Sequence, residues 1–183
     1  MIEMETQTFV EEVPNLYRVI PLRVFRRTPG VYFDILPKEA LPRVDGFDRV
    51  IHERGAVSPG PVGKVERPWY MHPHQDDNLM VLHGVRYVDL YTKKHGKIES
   101  FVVTPHRIET NNKVLFEGAA MLVWPRAVFH RIMSSNELGS ASLNFAVRYE
   151  GWNVRTNFSI YDLNPENGEF RVIREGYLDQ PGM

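Results

Sequence analysis

The chain has 183 residues, of which 43% are hydrophobic and 25% are charged, and its net charge at pH 7 is -1. These values are typical of one globular domain with a sizeable core, and the nearly balanced charge argues against a surface for nucleic acid or anionic membranes. Cysteine is absent, which excludes disulfides, thiolate metal ligands and cysteine nucleophiles. Because no apolar stretch approaches the roughly 20 residues that cross a bilayer and the acidic N-terminus lacks a signal pattern, a cytoplasmic location is expected.

Short segments of alternating apolar and polar residues run along most of the chain. Residues 1–12 are acidic with few apolar anchors, so we expect a disordered tail followed by a single domain over 13–183. The sequence NPENG at 164–168 predicts the turn of a C-terminal hairpin. About ten short strands with Gly, Pro and Asn between them predict a β-sandwich or β-barrel. The predicted strands are 16–27, 31–36, 47–53, 69–74, 79–82, 85–91, 98–103, 113–116, 120–124, 129–133, 141–149, 157–163 and 169–174.

Metal-binding residue types cluster in the run WYMHPHQDD at 69–77. Because residues i and i+2 of a strand point to the same face, His72 and His74 are predicted to aim into one space. Asp77 follows the next turn and His130 lies on a distant strand, so the four side chains could hold one metal. An equally supported alternative is that Asp77 caps the local turn. The other histidines lie in polar or turn contexts and are expected at the surface: His52, His83, His95 and His106.

The same alternation predicts further residues of a cavity. If His72 points inward, Tyr70 does so too and becomes a candidate for moving protons. Over 142–149, one face carries Ser, Asn, Ala and Arg, so Asn144 and Arg148 are candidates for binding substrate, Arg148 through a carboxylate or phosphate. The alternative is that this polar face meets solvent, the commoner arrangement in antiparallel sheets.

Two spaced motifs carry a family resemblance. The first is the His-x-His pair with Asp77, six residues and then Gly84. The second runs from Gly118 through Pro125 to His130. In this order and spacing the chain resembles the cupin superfamily of RmlC-like jelly-roll barrels, with motif 1 at about 69–84 and motif 2 at about 118–134. It departs from the family pattern in the shorter spacing before the acid, in Asp for Glu at position 77, in Ala127 for Gly and in Ser134 for Asn.

The resemblance implies an all-β cupin double-stranded β-helix, a jelly-roll barrel, here with extra N-terminal strands and a C-terminal β-hairpin. It also implies one divalent transition metal (Fe, Mn, Ni or Zn) held by His72, His74, Asp77 and His130. If Asp77 does not reach the metal, three histidines and water remain as a workable site. A homodimer is expected from the same resemblance.

Three kinds of function are open. The first is a metal-dependent enzyme acting on a small polar molecule such as an organic acid or a sugar, as an oxygenase, isomerase, epimerase or lyase. The second is a metal-free enzyme similar to the dTDP-4-keto-sugar 3,5-epimerases, with a His base, an Asp that orients it and a Tyr acid. The third is a non-catalytic cupin that binds a small molecule or a metal. In each case the expected partner is a small-molecule ligand, with no nucleic acid and no membrane.

Overall fold

The computed structural model describes residues 9–180, in which strands dominate. The strands are β1 (Glu11–Val13), β2 (Tyr17–Pro21), β3 (Arg23–Thr28), β4 (Val31–Ile35), β5 (Gly46–His52), β6 (Val57–Ser58), β7 (Trp69–Met71), β8 (Gln75–Gly84), β9 (Arg86–Tyr91), β10 (Glu99–Thr104), β11 (Arg107–Thr110), β12 (Lys113–Glu117), β13 (Ala120–Trp124), β14 (Phe129–Ser134), β15 (Ser140–Arg148), β16 (Ile160–Asn164) and β17 (Glu169–Arg174). One helical turn, α1 (Val154–Asn157), precedes β16, and a 3-10 turn at Gly176–Asp179 follows β17.

Two large antiparallel sheets face each other. The first has the strand order β1-β2-β13-β8-β15-β5, and the second has the order β12-β11-β10-β9-β14-β7-β16-β17, with β6 also paired to β14. Strands far apart in the chain lie side by side, as β13 does with β8 and β14 with β9. This doubling back of distant strands is the arrangement expected of a jelly roll.

Apolar side chains fill one end of the space between the sheets. Leu79 and Leu122 from the first sheet pack against Val88, Leu90 and Phe101 from the second, and all five are buried. Burial of this layer supplies the main hydrophobic stabilisation of the barrel. The inward faces of the same strands carry polar residues toward the other end, and that end holds the site described below.

The predicted extra strands are confirmed at both ends of the fold. β1 and β2 extend the first sheet beside β13. The segment 16–27, predicted as edge or bent strands interrupted by Pro21, is two strands: Pro21 ends β2, and β3 pairs only with β4. At the other end, β16 and β17 form the C-terminal hairpin, in which the Gly168 N–H donates to the Asn164 carbonyl over 2.8 Å.

Motif 1 ends where two strands approach closely. The segment predicted as a strand over 79–82 is longer in the structure, where β8 begins at Gln75 and runs to Gly84. Gly84 has a φ of +72°, and a side chain there would clash with the carbonyl oxygen of Gly139. Glycine is therefore required at this position by both its backbone conformation and its packing.

The predicted N-terminal tail lies mostly outside the described residues. Of its twelve positions, Glu11 and Glu12 lie in β1 rather than in a tail. Within residues 9–180, none of the helices has the length and apolar character needed to span a membrane.

Candidate functional site

A cavity of about 220 Å³ lies between the two sheets. Inward-facing residues of β5, β7, β8, β9, β14 and β15 form most of its wall, because alternate residues of each strand point to the same side. The charged and titratable residues of the lining are Asp48, His52, Tyr70, His72, Asp77, Arg86 and His130.

Three of the four predicted metal ligands meet in this cavity. His72, Asp77 and His130 are buried, and their ligand atoms all lie within 4.8 Å of one another. The Asp77 Oδ2 atom is 3.2 Å from His72 Nε2 and 3.9 Å from His130 Nε2. Imidazole nitrogens and carboxylate oxygens bind divalent transition metals at about 2.0–2.2 Å, so donors at these separations fit one shared ion.

Backbone carbonyls orient both imidazoles. His72 Nδ1 donates to the carbonyl of Asn157, and His130 Nδ1 donates to the carbonyl of Val128 over 3.2 Å. Because a carbonyl only accepts, each Nδ1 carries a proton, and each Nε2 faces Asp77. Histidines that bind metals typically have this pattern, in which one ring nitrogen donates a hydrogen bond and the other faces the site.

Two amide side chains orient the Asp77 carboxylate. Gln75 Nε2 and Asn144 Nδ2 donate to Oδ1 over 2.8 Å and 2.7 Å. Oδ2 is thereby left to face the two histidines. Among the described residues, the Asp77 carboxylate accepts from these side chains and from no local backbone N–H, so it does not cap the turn as the alternative supposed. Its neighbour Asp76 accepts from the Arg126 N–H and the Tyr149 hydroxyl, which lie on segments distant in the chain.

Burial and charge distribute the protons of the three groups unequally. Burial disfavours the imidazolium form of His72, but the Asp77 carboxylate outweighs it and raises the pKa of His72. Burial also disfavours the ionised form of Asp77, yet the charge and hydrogen bond of His72 lower the pKa of Asp77. Burial and then the positive charge of His72 lower the pKa of His130 to about 4. The protein by itself therefore favours a His72–Asp77 ion pair beside a neutral His130.

His74 lies apart from this cluster, and the prediction that it shares a strand face with His72 is wrong. β7 ends at Met71, and Pro73 and His74 form the turn into β8. The alternation of a strand does not extend through such a turn. The half-buried ring of His74 packs against Gly151 instead.

Tyr70 faces the cavity, as the strand alternation predicts, while its neighbour Trp69 packs into an apolar cluster on the outer side of the second sheet. The Tyr70 ring centroid lies 6.4 Å from that of His72 and 6.0 Å from that of His130. Burial raises the pKa of Tyr70, so its phenol stays protonated near neutral pH. Its catalytic role remains a prediction.

The polar face of β15 points inward, but only part of it reaches the cavity. Ser142 and Asn144 line the cavity, whereas Phe145 packs into the apolar cluster on the outer face of the first sheet. Arg148, the last residue of β15, lies outside the cavity, where its guanidinium stacks 4.0 Å from the Trp152 ring centroid. The structure therefore gives no support to Arg148 as a cavity residue.

Three charged or titratable residues of the cavity were not predicted. His52, expected at the surface, lies on the inward face of β5 with Asp48, and Arg86 begins β9 with its side chain fully buried. The alternation over 47–53 was a usable signal for Asp48 and His52. For Arg86 the chain offered no comparable signal, because a charged residue at the start of a strand is ordinarily exposed. The other predicted surface histidines include His83 and His106, which are exposed, and His95, which contacts Glu99.

A second layer of buried amides was also missed. Gln75, read from sequence as part of a turn, is fully buried, and its Oε1 accepts from Trp152 Nε1 over 3.1 Å and Asn157 Nδ2 over 3.3 Å. Since Gln75 also donates to Asp77, these bonds fix the carboxylate through the segment that includes α1. Such a network depends on segments about 80 residues apart and carries no local sequence pattern.

The fold and this site define a jelly roll of the cupin type with two histidines and a carboxylate in its barrel. No family model matches the chain, and no curated protein matches it. Among solved structures it is similar to QdtA, a sugar 3,4-ketoisomerase from Thermoanaerobacterium thermosaccharolyticum in complex with TDP. The TM-score is 0.54 at 12% identity, over 75% of this chain and 84% of that chain. A histidine-to-asparagine mutant of QdtA in complex with TDP-4-keto-6-deoxyglucose matches with the same TM-score and identity, over 75% and 83% of the two chains. This likeness confirms the predicted cupin jelly-roll fold.

Proposed function

We propose that this protein is a metal-dependent enzyme that acts on a small polar molecule, an organic acid or a sugar, in the cavity between its sheets. The observation that carries the proposal is the convergence of one ligand atom each from His72, His130 and Asp77 within 4.8 Å, with both Nε2 atoms facing Asp77 Oδ2. A hydrogen bond orients each of the three side chains through the polar atom that does not face the cluster. Buried donors prepared in this way are characteristic of two-His, one-carboxylate sites for Fe(II) and related ions.

A divalent ion at this site would supply Lewis acidity toward a carbonyl or hydroxyl oxygen of the substrate. The residues of the chain supply position and proton transfer. Tyr70 offers a protonated phenol beside both imidazoles, suited to a general acid. The wall also excludes bulk water, because His72, Asp77 and His130 are almost fully buried. This combination favours isomerisation or epimerisation of a carbonyl compound within the wider set of oxygenase, isomerase and lyase reactions.

The volume of the cavity limits the size of the substrate. About 220 Å³ is below the roughly 300–1,000 Å³ of sites for drug-sized ligands. A compound as large as a nucleotide-linked sugar would place only its reacting end inside, with the nucleotide beyond the cavity. Isomerisation of a sugar is supported by the fold neighbours, two structures of a 3,4-ketoisomerase with TDP ligands.

A second candidate function uses no metal. The His72–Asp77 pair, with 3.2 Å between Nε2 and Oδ2, resembles the oriented histidine of a metal-free sugar-nucleotide epimerase, and Tyr70 would be its acid. Because the raised pKa of His72 favours an imidazolium that neutralises the carboxylate without a metal, the base of this alternative would be the neutral His130, whose Nε2 faces Asp77. A third candidate, a non-catalytic binding protein, would use the same cavity.

Metal analysis of protein purified without added metal separates these functions. We expect near-stoichiometric Fe, Mn, Ni or Zn in the wild type, and its loss in His130→Ala and Asp77→Asn variants that keep their circular dichroism spectrum. His74→Ala is the matched control, because this histidine belongs to the same motif but lies outside the cluster, and it should keep the metal.

Three results would contradict the metal-dependent enzyme. Metal-free wild type whose melting temperature is raised by thymidine nucleotides would support the metal-free enzyme instead. Full metal occupancy without turnover of any organic acid or sugar in a panel would support the binding protein. Loss of metal in His74→Ala but not in His130→Ala would move the site away from the buried cluster.

A further inference from the structure

One charged residue of the cavity has no partner of opposite charge. The Arg86 side chain is 1% exposed, yet no carboxylate within residues 9–180 forms an ion pair with it. Burial alone lowers the pKa of Arg86 to about 10, so the guanidinium remains protonated at neutral pH. A buried and uncompensated cation costs several kcal/mol in a typical protein, so its retention calls for an explanation.

The hydrogen bonds of Arg86 leave part of its guanidinium available. Nε donates to Ser140 Oγ over 3.0 Å, and one Nη donates to the Val50 carbonyl over 3.2 Å. A guanidinium has five N–H groups, and the other three have no acceptor among the described residues. Because Arg86 also lines the cavity, these donors can serve a molecule bound there.

A chain of hydroxyl groups joins Arg86 to His52. Ser140 Oγ lies 2.7 Å from Ser134 Oγ, and Ser134 Oγ lies 3.1 Å from His52 Nδ1. Arg86 Nε can only donate to Ser140. Either serine can be the donor in the bond between the two hydroxyls, and the tautomer of His52 sets the direction of the bond between Ser134 and Nδ1. Burial and the charge of Arg86 lower the pKa of His52 to about 4, so the ring is neutral near pH 7. With the Ser134 hydroxyl donating to Nδ1, the neutral ring carries its proton on Nε2 and is a second donor in the cavity lining.

Charge is separated along the cavity. The carboxylates Asp48 and Asp77 are bridged by Asn144, whose Nδ2 donates to both. His52 lies four residues beyond Asp48 on β5, and Ser134 lies four residues beyond His130 on β14, which is about 13 Å of strand in each case at 3.3 Å per residue. The acidic and metal-binding groups therefore occupy one end, and the cationic Arg86 occupies the other.

We propose that Arg86 and His52 form an anion subsite that binds a carboxylate of the substrate while its reacting atoms lie at His72, Asp77 and His130. Arg86 contributes one positive charge and His52 is neutral, so the pair matches a monoanion. A phosphate group carries about -1.5 to -2 at pH 7 and would leave excess negative charge buried. This inference rests on the proposed function for the reacting end. It narrows the substrate class to carboxylic acids whose reacting atoms lie several bonds away from the carboxylate, including sugar acids.

Binding of simple anions to metal-stripped protein tests the subsite independently of the metal. Chelator-treated protein, checked by metal analysis, is titrated with propionate, with its neutral isostere propionamide, and with inorganic phosphate. The readouts are the Nε–H signal of Arg86, assigned by its loss in Arg86→Met, and the ring signals of His52. We expect saturable shifts with propionate, weaker shifts with phosphate, and none with propionamide.

Variants test which residues bind the anion. His52→Gln is expected to weaken propionate binding severalfold, and Arg86→Met by at least about tenfold, as for loss of a charge-assisted hydrogen bond. Arg49→Gln, an exposed arginine on the outer face of β5, is the matched control and should bind as the wild type does. If Arg86→Met fails to fold, the His52 ring signals of the wild type still report whether propionate binds, and calorimetric titration of His52→Gln still reports whether His52 contributes.

Equal shifts with propionate and propionamide, or no shift of cavity signals at saturating propionate, would overturn the subsite. Tighter binding of phosphate than of propionate would overturn the assignment to a carboxylate. A failure of the proposed metal site would appear separately, as absence of metal in the protein as purified.

Discussion

The side-chain amide of Asn144 donates to Asp77 Oδ1 over 2.7 Å and leaves Oδ2 facing the two buried histidines. Sequence alternation had made Asn144 a candidate for binding substrate. In the structure it is a positioning residue, since both hydrogens of its amide are donated to Asp77 and Asp48.

We therefore predict that Asn144→Ala lowers metal affinity by roughly 10- to 100-fold, the usual effect of losing a partner that orients a metal ligand. The measurement is Zn²⁺ or Mn²⁺ binding by calorimetry. Ser142→Ala is the control, because Ser142 lines the same wall on the same strand and makes no hydrogen bond to Asp77. Unchanged metal affinity in Asn144→Ala would show that the metal does not bind at Asp77.

Ala127 occupies a strained backbone position next to the site. Its φ is +63°, where the cupin motif has glycine, and its N–H donates to the His72 carbonyl over 2.8 Å. We predict that Ala127→Gly raises the free energy of unfolding by up to about 1 kcal/mol, because relief of the left-handed strain exceeds the added entropy of the unfolded chain.

Urea denaturation measures this difference. Ala127 is exposed, so its methyl group leaves no cavity when removed. In the control Ala56→Gly, where φ is not positive and the methyl group is half-buried, no strain is relieved, so the entropic and packing costs should lower stability. A loss of stability in Ala127→Gly would show that the turn is not strained.

Stability of the metal-free protein should depend on pH in a defined direction. The pKa of His130 is lowered to about 4 by burial and by the charge of His72, whereas in the unfolded chain it is near 6.5. Between these values the unfolded chain binds a proton that the folded protein does not, so stability falls as the pH falls. From pH 7 to pH 5, His130 alone accounts for a loss of about 2 kcal/mol.

His72 and Asp77 limit the pH range in which His130 determines the change in stability. The pKa of His72 is raised, so its contribution is complete below about 6.5 and is lost as the pH rises through its folded pKa. The pKa of Asp77 is lowered, so its contribution is lost only as the pH falls below about 4. Denaturation at pH 7 and 5 should give a smaller difference for His130→Gln than for the wild type. An equal difference would refute the assignment to His130.

The hairpin of β3 and β4 pairs with neither large sheet, and it exposes large apolar residues: Val24, Phe25, Val31, Tyr32, Phe33 and Ile35. Exposed apolar surface on this scale is typical of an interface. The homodimer expected from sequence remains a prediction, and we assign this hairpin to it.

Light scattering coupled to size exclusion should give twice the mass of the chain, and Phe25→Ser with Tyr32→Ser should reduce it to one. Phe170→Ser, at another exposed aromatic on β17, is the control and should leave the mass unchanged. A monomeric wild type, or a double variant that stays dimeric, would contradict the assignment.

The alternation of short strands predicted the fold class and the inward position of Tyr70, and it separated a polar from an apolar face of β15 without deciding which face meets the cavity. These features depend on neighbours within one strand, and a strand places alternate side chains on one side wherever it lies. The motif spacing likewise predicted His72, Asp77 and His130, because their positions follow from strand order in a jelly roll.

Only the tertiary structure decided which polar residues share the cavity. His74 follows Met71 into a turn, so two residues of sequence separation no longer mean a common face. Arg148, at the end of β15, lies outside the cavity. Arg86 and His52 enter it because β9 lies beside β14, which carries His130, and β5 belongs to the facing sheet. Local pattern determines the direction of a side chain relative to its own strand. The packing of strands distant in the chain determines whether that direction leads to solvent, to the core or to the site.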